Sequence, residues 1–301
     1  MSKIVISILH YNNQNDTIGC LDSIEDSDLR KLDLLVFVLD NGSKEKLNVD
    51  IKNYKSFKLE VVRVADNLGF TGGHNYVYKH TRAFSDFFLL LNNDSILQKE
   101  ALKHLESSLV GNIAGVVPKI YFTKGREYHK TRYAKEELGK IIWYAGGEID
   151  WGNVVSKHFG LDEVDNGQFD KEIGITFATG ACLLLRSEVI DKIGLFDDRY
   201  FLYYEDADLS KRISNAGYEL KYIPEAIVWH SNAGSSGSGS ELHDYYLTRN
   251  KLLFGMKFAP IRTKALLLKE ALRIGTTGRK WQRKGVFDFF LNKLGKGSYA
   301  K

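Results

Sequence analysis

The chain has 301 residues, of which 44% are hydrophobic and 27% charged, with a formal net charge of +4. This is the balance of an ordinary soluble protein, long enough for one large domain or two small ones. Its two cysteines, Cys20 and Cys182, exclude a disulfide framework or a cysteine metal site, and no apolar run is long enough to cross a bilayer. With no signal-peptide pattern after Met1, a reducing cytoplasm is the expected location.

The predicted elements begin with strand and helix in alternation. An apolar strand covers 3–9, and Ile18, Leu21 and Ile24 recur at helical spacing over 16–27. A second strand covers 34–39 and ends at Asp40-Asn41-Gly42-Ser43, a turn signature. A third covers 59–64. A glycine-rich loop then opens a helix over 72–82, and the run 86–91 forms a fourth strand that ends at Asn92-Asn93-Asp94. This βαβ repetition predicts a parallel, doubly wound sheet.

After a helix over 101–110 the pattern becomes mixed. Strands are expected at 113–118, 141–145, 173–177, 182–186, 219–223 and 226–229, and helices at 187–193 and 206–216. Residues 231–240, nearly all Ser, Gly, Asn and Ala, read as a mobile loop. From 251 to 301, thirteen Lys or Arg face only Glu270 and Asp288, interleaved with leucines and phenylalanines. That mixture suits a helical region lying on an anionic membrane, or a helix packed on the domain with a solvated basic face. No nucleic-acid motif accompanies the charge.

Four clusters fall where ligands bind in open α/β sheets, at the carboxyl ends of strands. The first is His10-Tyr11-Asn12 with Asp40, whose acceptor oxygens suit a pyrimidine N–H or cap a turn. The second is Asn67-Leu68-Gly69-Phe70-Thr71-Gly72-Gly73-His74-Asn75, where glycines let a ligand approach the backbone and leave amides for anionic oxygens, or simply build a turn. The third joins Asn92-Asn93-Asp94 to His230. Hard oxygen ligands there suit Mg²⁺ or Mn²⁺ on a diphosphate, while a helix cap near residue 98 is the structural alternative. The fourth is Glu205-Asp206-Ala207-Asp208, either a helix start favouring acids or a general base at the cavity floor.

Taken together, these segments resemble glycosyltransferase family 2 with the GT-A fold, near its bacterial rhamnosyltransferase-like branch. Thr179-Gly180-Ala181, Gly194-Leu195-Phe196-Asp197, Trp229-His230 and Tyr246-Leu247-Thr248-Arg249-Asn250 follow in the family's order, so the similarity spans roughly residues 3–255. The resemblance implies an α/β, GT-A-type doubly wound mixed sheet over 1–240 and a helical extension over 241–301. It places the donor at His10, Tyr11, Asn12, Asp40, Asn67, Gly69, Phe70, Gly72, Gly73, Asn75, Asn92, Asn93 and Arg249, with Arg249 meeting the diphosphate. Asp94 matches the last acid of the family's D-x-D, Asn92 replaces the first, and His230 completes a Mg²⁺ or Mn²⁺ site. Asp206 resembles the catalytic base, with Glu205 as the other candidate. The acceptor is assigned to the variable middle, around Trp143, Glu148, Asp150 and Trp151, with Asp208.

The implied activity is inverting transfer of a sugar from a nucleotide-diphospho-sugar to a glycan or lipid-linked glycan hydroxyl. The resemblance makes dTDP-L-rhamnose the leading donor and a UDP-linked hexose the alternative. The 231–240 loop would close over the donor. A non-catalytic binding protein and a sugar nucleotidyltransferase are the competing classes. The inner face of the membrane is a further expected location, and oligomeric state is open, a homodimer included.

Overall fold

The computed structural model describes residues 1–129, 131–231 and 240–299. Its first part is built as the apolar runs require. β1 (Ser2–His10), α1 (Gln14–Glu25), β2 (Leu32–Asn41), β3 (Lys58–Val64), α2 (Gly69–Thr81) and β4 (Phe87–Asn92) alternate along the chain. β1 lies between β2 and β4, parallel to both, with β3 outside β2. Covered on both faces, these strands carry unbroken apolar stretches such as Phe88–Leu91, which is fully buried. Register sets His10 opposite Asp40 and Leu9 opposite Asn92, so three strand ends finish together.

The later part turns the sheet mixed. The chain adds β5 (Ser95–Leu97), α3 (Ala101–Ser107), β6 (Ile113–Phe122), β7 (Ile142–Tyr144), β8 (Gly147–Asp150), β9 (Val155–His158), β10 (Ile173–Ile175) and β11 (Cys182–Arg186). α4 (Ser187–Ile193), α5 (Glu205–Asn215) and β12 (Glu219–His230) complete the body. The strand order is β10-β12-β6-β11-β4-β1-β2-β3. β11 runs antiparallel to β4, with Cys182 opposite Leu91. The start of β11 therefore lies beside the end of β4, and the amide of Asn92 donates to Ala181 O at 2.9 Å. The two strands expected at 219–223 and 226–229 form one, β12, irregular between Ile223 and Ile227 where Pro224 interrupts the ladder.

Three helices follow: α6 (Glu241–Phe258), α7 (Ile261–Thr277) and α8 (Lys280–Phe290). α6 is no surface tail. Tyr245, Tyr246, Leu252, Leu253 and Phe254 are buried in it. α7 buries only Leu267 and Ala271.

Candidate active site

The ends of β4 and β12, the turn before β11 and the start of α5 surround a cavity of about 400 Å³. It brings together Tyr11, Asn67, Gly69, Phe70, Asn92, Asn93, Asp94, Trp143, Glu205, Asp206 and His230 from the sequence-predicted set. These come from six segments far apart in the chain.

Asp94 is not a helix cap. The chain after it enters β5 directly, and α3 starts later with Glu100 at its cap position. Antiparallel pairing places His230 opposite Ser95. That register brings His230 Nε2 to 3.0 Å from Asp94 Oδ1, and Asn92 Nδ2 lies 3.2 Å from the same ring nitrogen. The Trp143 ring meets the imidazole edge-on with centroids 4.7 Å apart. His230 Nδ1 has no hydrogen-bond partner among the described residues. A carboxylate, an imidazole and an amide thus converge on the cavity wall. This donor chemistry fits Mg²⁺ or Mn²⁺ that takes its other ligands from phosphate and water. No group of three His, Cys, Asp or Glu that could hold an ion without such help occurs among the described residues.

The carboxylates of α5 face the opposite chemistry. Asp206 Oδ1 accepts from its neighbour Ala207 N at 2.8 Å, and Oδ2 from Gly180 N at 3.4 Å. Burial pushes the Asp206 carboxyl up to about 6, against the pull of those amide bonds. Glu205 is only 5% exposed and its Oε2 has no hydrogen-bond partner among the described residues. Burial first, and then the adjacent Asp206 charge, drive its carboxyl well above the usual range. A carboxyl near 6, as on Asp206, can accept a proton near neutral pH.

Several expected contacts lie elsewhere. The glycine segment is not a loop with free amides, because α2 begins at Gly69. The amides of Phe70 and Thr71 donate to Phe201 O at 2.7 and 3.3 Å, Leu68 N donates to Asn41 Oδ1, and Gly69 N to Asn67 Oδ1. Its glycines serve packing. A Cβ on Gly69 (φ +75°) would sit 2.5 Å from Phe201, and one on Gly73 2.8 Å from Leu9. Gly72 faces Leu68, and Asn75 binds Phe196 and Asp198, away from the cavity.

Asp40 is buried in its own turn, accepting from Ser43 N and Leu47 N. Burial pushes its carboxyl up, but the Ser43 and Leu47 hydrogen bonds outweigh this and hold it below the usual range. His10 is buried against Thr17 Oγ1 at 2.8 Å, and the Asn12 amide donates to Ser43. None of these three lines the cavity.

Arg249, expected to meet the diphosphate, is fully buried on α6, donates to the carbonyls of Arg199 and Tyr200, and does not line the cavity. Asp208 is likewise buried, held by Tyr200, Arg212 and Lys257, and has no face for an acceptor. Trp151 stacks on Phe254, and Glu148 lies near Lys157 on the outside of the β8–β9 hairpin. Asp150 closes its own turn and pairs with Lys157. Trp143 alone of that group reaches the cavity. The 231–240 loop lies, at 232–239, outside the described residues.

The cavity also has walls that the sequence did not single out, Asn13, Asp16, Leu242 and the segment 201–203, and it takes in Asn41 and Thr179, which stood in quoted motifs without a ligand role. Burial, and then the Asp94 charge, raise the Asp16 carboxyl. An acid one turn into the first helix after β1 was a weak signal for it.

The model for glycosyltransferase-like family 2 matches residues 4–244. The chain belongs to that family. Over 69 residues it is 41% identical to the N-acetylglucosaminyl-diphospho-decaprenol L-rhamnosyltransferase of Mycobacterium tuberculosis, which covers 23% of this chain and 22% of that protein. Over 92 residues it is 32% identical to rhamnosyltransferase WbbL of Escherichia coli, covering 28% of this chain and 35% of that one. The matches thus span about a fifth to a third of these curated relatives. Among solved structures, GalNAc-T7 with UDP, GalNAc and Mn²⁺ aligns with 97% of this chain and 55% of its own, at TM-score 0.64 and 14% identity. A mannosyltransferase from Pyrobaculum calidifontis with GDP-Man and Mn²⁺ aligns with 99% of this chain and 76% of its own, at TM-score 0.53 and 13% identity. These likenesses show the fold, which is of the GT-A type.

Proposed function

We propose that this family 2 enzyme transfers a sugar from a nucleotide diphosphate to an acceptor hydroxyl, with inversion at the anomeric carbon. One observation carries the reading: the Asp94–His230 pair and the Asp206 carboxylate line one cavity. Asp206 takes the proton of the attacking hydroxyl, and no second nucleophile is needed for a single displacement. Asp94 and His230 would hold a Mg²⁺ or Mn²⁺ ion, which supplies positive charge against the departing diphosphate. Asn92 and Asn93 line the same wall as the pair. In this reading Tyr11, Asn67, Gly69 and Phe70 serve the donor and Trp143 the acceptor, and all of them line the cavity.

The named activity of the mycobacterial and E. coli relatives supports L-rhamnose, carried as dTDP-L-rhamnose, as the donor sugar. The mycobacterial relative's name supports a lipid-diphosphate-linked acceptor. A UDP-linked hexose is the second reading, supported by the UDP held in the GalNAc-T7 structure.

A peripheral contact with an anionic membrane fits such an acceptor. Ile261, Leu266 and Leu272 on α7 and Phe287, Phe290 and Leu291 in and just after α8 are all more than half exposed among basic residues. No helix among the described residues is long and apolar enough to cross a membrane.

A donor screen with Mg²⁺ or Mn²⁺, scored for nucleoside diphosphate release, tests the reaction. Release of pyrophosphate instead, or no turnover with any donor, would remove the proposal.

A further inference from the structure

The segment 199–204 leads straight into Glu205 and Asp206, and its Phe201, Leu202 and Tyr203 line the cavity. Its backbone is unusual. Phe201, Tyr203 and Tyr204 have φ of +67°, +69° and +70°, a left-handed conformation that side chains with a Cβ disfavour. Such a conformation persists only where surrounding groups impose it.

The imposing groups come from α6. Asn250 Nδ2 donates to Tyr200 O at 2.9 Å, Leu202 O at 2.8 Å and Tyr203 O at 2.9 Å. Arg249 Nη2 donates to Tyr200 O at 2.8 Å and Arg199 O at 3.2 Å. Its Nε donates to Asn250 Oδ1 at 2.9 Å, which fixes the way the amide points. The guanidinium lies over the Tyr245 and Tyr246 rings, and both Arg249 and Asn250 are 0% exposed. From the other side, Phe70 N and Thr71 N hold Phe201 O. Every carbonyl from Arg199 to Tyr203 is thus bonded from outside the segment. At its far end, Asp206 rests on the Gly180 amide.

We propose that Arg249 and Asn250 are positioning residues: they clamp the left-handed strap 199–204 so that Asp206 is presented to the cavity. The inference rests on the glycosyl-transfer reading for its catalytic half only. Neither residue touches the cavity, so their effect runs through the strap. A side chain with N–H donors is required at both positions, because five of the clamping contacts end on carbonyl oxygens.

Asn250→Asp is the informative variant. It keeps size and shape but removes the donors and sets a carboxylate against three carbonyls. In the full chain, with the donor giving the fastest nucleoside diphosphate release, kcat should fall about 100-fold, the scale of an ångström-sized misplacement. Arg249→Lys, which keeps the charge and N–H donors but loses the guanidinium fork, should lose roughly tenfold by the same reasoning. The KM for the donor and the calorimetric Kd for the nucleoside diphosphate should stay within about threefold, because binding groups are untouched. A purely structural role would not split kcat from KM in this way.

Hydrogen exchange supplies a readout that needs no substrate. The 203–206 amides should exchange faster in Asn250→Asp while β1 and β4 keep their protection. A folded Asn250→Asp protein with wild-type kcat and unchanged exchange over 203–206 would overturn the proposal, as would a rise in KM with kcat intact. If Asn250→Asp does not fold, Arg249→Lys decides by the same two measurements. If the wild-type protein transfers no sugar at all, the reaction assignment fails, and the exchange result still decides whether the clamp exists.

Discussion

His230 Nε2 lies 3.0 Å from Asp94 Oδ1, although 136 positions of chain separate the two residues. The contact exists because β12 pairs antiparallel with the three-residue strand β5, and that register leaves the residue before Ser95 facing the last residue of β12. An isolated Asp–His pair would gain little here. Aimed into a cavity shared with Asp206, it has the composition of a half-built cation site.

Asp94→Asn should lower kcat by on the order of 10²–10³, the range for loss of one preorganised charge-stabilising group. Mn²⁺ titrated into the protein in the presence of UDP or dTDP should bind more weakly in Asp94→Asn and in His230→Ala. Stripping divalent ions with EDTA should stop nucleoside diphosphate release, and added Mn²⁺ should restore it. Full turnover of the wild type in EDTA would contradict this reading of the pair.

Asp206→Asn should cost on the order of 10²–10⁴ in kcat, as for a general base. In the wild type, kcat should rise with pH through an acid limb near the Asp206 value of about 6, since only the ionised carboxylate accepts a proton. Stability should move the other way. A carboxyl whose folded value is raised favours folding fully below its unfolded value of 3.8, and that advantage is lost as pH rises to about 6. Asp206→Asn should therefore melt higher than wild type at pH 8, with the gap closing toward pH 4. A lower melting temperature at pH 8 would refute the burial argument.

Glu205→Gln separates the two candidate bases. Burial and the Asp206 charge push the Glu205 carboxyl well above the usual range, so a neutral amide of the same shape should retain activity within about tenfold, well inside the range for losing a general base. A loss as large as that of Asp206→Asn would move the proton acceptor to Glu205.

Gly69→Ala should destabilise the fold by about 2 kcal/mol or more, because φ is +75° and the added Cβ would meet Phe201 at 2.5 Å. Thermal melting measures it. A neutral result would show that the strap gives way freely, contrary to its dense hydrogen bonding.

Replacing exposed Arg262, Lys269, Arg273 and Arg283 by Gln should weaken binding to anionic vesicles by more than about tenfold, since each basic residue near such a surface is worth about 1 kcal/mol. Arg279 is left in place because it pairs with Asp244. Vesicle binding that does not change would withdraw the membrane contact.

Much of the first half of the fold was legible because buried parallel strands leave unbroken apolar runs. Phe87–Asn92 could hardly be anything else. Asp94, Asp206 and His230 stood out for a related reason: each lies at the end of a strand or the opening of a helix, where a polar residue meets a site. Arg249 and the glycine segment meet partners that a list of residues does not show. Arg249 looks like a phosphate ligand in a list of residues, and the glycine segment looks like a bed of free amides. Both judgements concern hydrogen-bond partners, and those are carbonyls and side chains brought from elsewhere: Tyr200 O for Arg249, Phe201 O for the α2 amides.

The sequence by itself determined which residues are apolar and how they are spaced, and hence the alternating elements, the strand ends and the identity of the acids and the histidine at them. Only the tertiary structure decided which of those ends meet, since an antiparallel β11 and β12 register is chosen by long-range packing that no local run of residues encodes. It also decided that Asp206 faces the cavity while Asp208, two residues on in α5, turns about 200° away into a buried cluster of Tyr200, Arg212 and Lys257.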